Sequence, residues 1–239
     1  MPTRRPRFLA RSLVFLAAII VLAGAAPAAR ALPVAGQLSL VGSLALGAAS
    51  AEFLPLPAGN ALTVVPSTGS FAALVGTAGT LAPLDLSPAQ VGTALAVANV
   101  FSLFIAPTMS FELTRIHPGA FDSAPCALAP AAGQTCTPAS SPALQLFNGP
   151  TAFGLGSTLS FAFTGRIQEG ADLSDFTALV TAQFPMPYQN LLTALAAGDT
   201  VEASFSATLH AQPVPEPSTL AACALGLCAL ASARRRGAR

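Results

Sequence analysis

The chain has 239 residues, of which 53% are hydrophobic and only 9% charged, far below the roughly 25% charged residues of an average soluble protein. It holds no lysine and no tryptophan, and its arginines sit almost entirely at the two ends, so residues 32–214 carry only Arg115 and Arg166 against nine acids, a net −7. Phosphate contacts need clustered cations, so this acidic middle excludes nucleic-acid binding.

The N-terminal 31 residues predict a secretory signal helix. Arg4, Arg5, Arg7 and Arg11 form a basic start, and "LVFLAAIIVLAG" at residues 13–24 is the apolar run. That run is short for a membrane span and right for a signal core. "ARA" at residues 29–31 fits a small-residue cleavage site, with "APA" at 26–28 as the alternative.

Residues 32–212 alternate as an exported β-rich domain. "GQLSLVGSLALGA" at 36–48 places Leu38, Leu40, Leu44 and Leu46 at even spacing, the period of a half-buried strand. Further strands are expected at 61–65, 70–76, 108–116, 157–167, 175–184 and 200–211. In "TMSFELTRI", Met109, Phe111, Leu113 and Arg115 are expected on one face. A helix is expected at residues 187–199, with Pro187 near its start, Leu191, Leu192 and Leu195 on one face and Gly198 as its stop. A second is allowed at 87–99, with Ser87 as N-cap and Pro88 at the first helical position. Gly and Pro punctuate nearly every junction. The fold expected is mainly β, an antiparallel two-sheet sandwich of about seven to nine strands with one or two short helices. A flattened barrel or a β-helix is the alternative, and the lack of a fixed repeat argues against a solenoid.

Cys126 and Cys136 lie in the Pro- and Ala-rich stretch "SAPCALAPAAGQTCTPASSP". In an exported domain the natural reading is a disulfide. Two cysteines without nearby histidines make an incomplete zinc shell. His117 and His210 are the only histidines. Neither stands in a triad motif and there is no G-x-S-x-G elbow, although Asp122 follows close after His117. Glu169, Asp172 and Asp175 in "QEGADLSDF" are weak calcium candidates without the D-x-D-x-D-G order, so a solvated strand connection is the simpler expectation. Tyr188 and exposed phenylalanines are the candidates for sugar stacking. No catalytic constellation and no cofactor is expected, and the chain is read as a non-enzyme.

Residues 213–239 have three parts. Val214 precedes Pro215-Glu216-Pro217, whose prolines fix φ and favour an extended handle. Then comes "STLAACALGLCALASA" at 218–233, sixteen residues without a charge that include Cys223 and Cys228. As a helix it would cover about 24 Å, short of the ~30 Å hydrocarbon core. Arg234, Arg235 and Arg236 close it and are expected to stay on the cytoplasmic side.

The order Val214-Pro215-Glu216-Pro217, Ser218-Thr219-Leu220, apolar span and arginine cluster resembles the PEP-CTERM sorting signal, also labelled the C-terminal domain of ice-binding proteins. The match covers about the last 25 residues. The label carries no implication of ice binding for this chain. The resemblance implies a Gram-negative host that makes exopolysaccharide. It also implies recognition by an exosortase, a membrane protease/transpeptidase with a cysteine nucleophile. The partners expected are the secretion translocon and signal peptidase, the exosortase, and the inner membrane through a C-terminal transmembrane helix. Extracellular polysaccharide is a further candidate partner. The destination expected is a membrane-tethered precursor, then the cell surface or extracellular matrix. More loosely, the Cys126–Cys136 loop, Phe161-Ala162-Phe163-Thr164-Gly165, the Leu-rich helix and Ser206-Ala207-Thr208 resemble secreted proteins that bear the same tail. That group has no activity to carry over.

Overall fold

The computed structural model describes residues 33–55, 62–106, 108–151 and 154–214, together with Gly226. The expected signal segment and, apart from Gly226, the apolar C-terminal span lie outside the described residues. Among the described residues no helix is long and apolar enough to cross a membrane.

The domain is mainly β and antiparallel, as expected. Its strands are β1 (Gly36–Leu46), β2 (Ser50–Leu54), β3 (Leu62–Val65), β4 (Ala78–Leu81), β5 (Leu84–Asp85), β6 (Phe101–Leu103), β7 (Met109–Ile116), β8 (Thr135–Cys136), β9 (Gln145–Thr151), β10 (Gly154–Glu169), β11 (Asp172–Phe184) and β12 (Val201–Pro213). One α-helix, α1 (Tyr188–Ala196), joins β11 to β12. The strands beyond the expected number are short pieces such as β5 and β8, too brief to show a period.

The layers of the expected sandwich belong to one connected ladder. Hydrogen-bonded neighbours run β6-β4-β3-β1-β12-β11-β10, and β7 pairs with β10. The ladder then closes on itself. Val97 pairs with Leu113 of β7, and Val100 N–H donates to Phe111 O at 2.9 Å. On its other side the same segment continues into β6, where Phe101 faces Leu81 of β4. The circuit β1-β3-β4-β6-β7-β10-β11-β12 thus meets its own start in chain order, an up-and-down arrangement that leaves no open edge along this part. At the opposite end β1 and β10 fork. Leu44 and Leu46 of β1 pair with β2 instead of β3, and Gly154–Ser160 of β10 pair with β9 instead of β7. Helix α1 packs against β9, β10 and β12 at that forked end, burying Tyr188, Leu191 and Leu195.

The interior is one hydrophobic cluster. Phe101, Phe111, Phe163 and Phe176, from four strands of the circuit, meet with ring centroids 5.6–6.2 Å apart. Most of these contacts are edge-to-face, the arrangement that ring quadrupoles favour.

Three local expectations are corrected. Residues 70–76 are not a strand. Gly69–Leu74 form a 3-10 helix that buries Phe71 and Leu74. Those two are spaced by three, the turn of that helix, not by two. Residues 87–99 are not a helix. A single turn closes on Ser87 O, Gly92 takes φ +81°, and the following backbone bonds to β7 through Leu95 N–H to Thr114 O at 2.8 Å. The exposed edge of β7 outcompetes the weak helical pattern, because pairing satisfies both backbones at once. Lastly, Arg115 does not share the face of Phe111 and Leu113. Thr164 pairs with Arg115 while Gly165 pairs with Leu113, so Thr114 is an extra residue at a β-bulge. The bulge reverses the alternation, turning Arg115 outward and burying Ile116.

Candidate functional site

Strand β12 carries the chain to Val214, which precedes Pro215-Glu216-Pro217. Val214 is half-buried, and its N–H donates to Leu173 O at 3.3 Å, beside the β10–β11 hairpin. Pro215, Glu216, Pro217, Cys223, Cys228 and Arg234–Arg236 lie outside the described residues.

Cys126 and Cys136 are bonded, with Cα atoms 5.2 Å apart. Cys136 lies in the core and Cys126 at its rim. A polar network pins the same loop to α1. Asn148, fully buried on β9, accepts Tyr188 N–H on Oδ1 at 2.9 Å and donates from Nδ2 to Gln189 Oε1 at 2.9 Å. Gln189 Nε2 in turn donates to Gln134 Oε1 at 2.8 Å, and Tyr188 Oη donates to Pro125 O at 3.2 Å. Tyr188 is therefore a buried tie between helix and loop, and it is not the stacking platform expected from the sequence. Burial pushes its phenol above the ordinary range by desolvating the charged form.

The titratable candidates do not converge. His117 sits just after β7, with its backbone N–H on Ala162 O at 2.9 Å. His210 is exposed on β12, opposite Gln37 and Thr177. Strands β10 and β11 separate β7 from β12. Asp122 is exposed and makes no side-chain bond to His117. Of the three acids, Glu169 and Asp172 face each other across the two-residue hairpin loop at Gly170-Ala171, whose first residue takes φ +62°. Asp172 is buried, and Asp175, of opposite parity on β11, lies outside with its carboxylate 3.9 Å from Arg166 Nε. Both of those side chains are more than half exposed, so the pair contributes little. Among the described residues no three His, Cys, Asp or Glu groups are placed to hold a metal ion.

Two larger grooves lie away from these candidates. A groove of about 420 Å³ runs over the outer side of β9, β10 and the end of β11, lined by Phe147, Gly149, Gly156, Thr158, Gln183 and Pro185 among others. A second, of about 690 Å³, continues over β11 and β12 past Thr181, Ser204 and Ser206. The two share Thr158 and Gln183. Cross-strand register builds this row: Phe147 faces Thr158, which faces Gln183. Sequence reasoning did not single these residues out, because β9 shows no strong alternation and their meeting depends on register.

Comparison of the chain with protein-family models, with curated proteins and with solved structures returns no match.

Proposed function

We propose that the chain is an exported, non-enzymatic protein of the cell envelope or extracellular matrix, delivered through its C-terminal sorting signal. One observation carries this reading: the ordered run of Val214-Pro215-Glu216-Pro217, a charge-free span of sixteen residues and Arg234-Arg235-Arg236. The bonded pair Cys126–Cys136 suits an oxidising compartment. The position of Val214 directly after β12 adds support, because the motif begins where the ladder of the domain ends. On this reading the secretion translocon and signal peptidase handle the N-terminus, the apolar span tethers the precursor in the inner membrane, and an exosortase processes the tail. The β-domain works through its outer surface at the cell surface or in a polysaccharide-containing matrix.

Pulse-chase of the tagged full chain, with and without the exosortase gene, is the test. A mass loss and a change of location that both depend on the gene are expected. Unchanged mass and location in the deletion strain would sink the reading.

A second reading, a carbohydrate- or ligand-binding module, is favoured by the uncharged grooves beside Phe147. An envelope-polymer hydrolase has less support, since His117, just after β7, and His210, on β12, are separated by two strands.

A further inference from the structure

We infer that the joined grooves over β9–β12 form a binding surface for a neutral polysaccharide, with Phe147 as its stacking platform. This rests on the proposed reading of an exported matrix protein and names the surface through which it would act.

The chemistry of the lining makes the case. Neither groove is lined by a charged side chain, although the domain around them is strongly acidic. An anionic polymer would meet that field unfavourably, and a cationic one would find no paired carboxylate in the grooves. The side chains of Thr158, Gln183 and Ser204 make no hydrogen bond within the protein, so their donors and acceptors face solvent. Hydroxyls and an amide can both give and accept, which matches the hydroxyls of a sugar. Phe147 is 43% exposed, too much for a core ring. It leans over Gly149, where an added Cβ would come within 3.0 Å of the ring. Glycine there leaves the ring room against bare backbone. Three strand spacings of about 4.8 Å separate β9 from β12, which gives the row the length of a short oligosaccharide.

The test is titration calorimetry of the full chain in detergent with cellohexaose, maltohexaose and N-acetylchitohexaose, and with alginate as the anionic comparison. At least one neutral oligosaccharide is expected to saturate the protein. Phe147→Ala and Gln183→Ala are each expected to weaken it about tenfold with thermal unfolding retained, and His210→Ala, outside the grooves, to leave it unchanged. Gln183→Ala decides alone if Phe147→Ala does not fold. Failure of every neutral oligosaccharide to bind, equal or tighter binding of alginate, or full affinity in the folded groove variants overturns the inference. Each variant is also expressed in the host. Lost glycan binding with normal export and processing leaves the sorting proposal standing, whereas gene-independent mass and location overturn that proposal and not this one.

Discussion

Asn148 caps a helix that starts forty residues further along the chain, accepting the N–H of Tyr188 at 2.9 Å. Pro187, at the N-cap position itself, offers no side-chain acceptor, so a buried amide from β9 supplies what Ser, Thr, Asp or Asn would normally supply locally. The same side chain bonds Gln189, which holds Gln134 of the disulfide loop. One buried polar residue thereby joins strand, helix and loop.

Asn148→Ala should therefore lower stability by about 2 kcal/mol, because it removes a cap and leaves the Tyr188 N–H buried without its partner. Urea unfolding followed by circular dichroism measures it. A loss under half a kilocalorie would mean that water takes over the cap.

The loop around Cys126–Cys136 is held twice, by the disulfide and by the Tyr188 Oη to Pro125 O bond. Replacing both cysteines by alanine should destabilise by about 3 kcal/mol in the chain-entropy description. Tyr188→Phe alone should give about 1 kcal/mol. The two changes should be non-additive, since each frees the segment that the other restrains. A double-mutant cycle by thermal unfolding reads the coupling.

Tyr188 also predicts a pH response. Its phenol is pushed up in the folded state by burial, so the unfolded chain loses that proton first. Stability is then fully present below the ordinary phenol value of about 10 and falls as pH rises from there through the folded value. Tyr188→Phe should flatten this part of the stability curve. Denaturation midpoints across the alkaline range compare the two proteins.

Gly165 faces Phe176 across β10 and β11, and a Cβ there would lie 2.1 Å from Glu112 O and 2.4 Å from Phe176 Cζ. Gly165→Ala should destabilise by about 2–3 kcal/mol, through overpacking at the bulge. Gly133→Ala, where a Cβ meets nothing within 4 Å but φ is +80°, should show only the backbone penalty of about 1–2 kcal/mol.

Closure of the ladder is checked by hydrogen exchange. The N–H groups of Val97 and Val100 donate to Leu113 O and Phe111 O. They should be protected to a degree like that of residues in β11. Rapid exchange at both would show an open edge.

Several elements were legible in the chain because their signal is local. Alternation in β1, β10 and β12 needs only side chains two apart facing one way. The Leu191 and Leu195 spacing of α1 is likewise internal to its segment. The failures share a different cause. The segment at 87–99 carries a helical pattern, yet the backbone of β7 claims its amides. Arg115 and Ile116 exchange faces because Thr114 bulges against a partner fifty residues away.

By itself the sequence determined the −7 middle, the mainly β class and the Cys126–Cys136 pair, because composition, order and spacing are properties of the chain alone. Only the tertiary structure decided that the ladder closes through Val97 and Val100, that Tyr188 is buried, and that Phe147, Thr158 and Gln183 stand in one row. Tyr188 is buried by the packing of α1 on the strands, whereas the other features depend on register between distant strands. A shift of one residue would send Phe147, Thr158 and Gln183 to the opposite face.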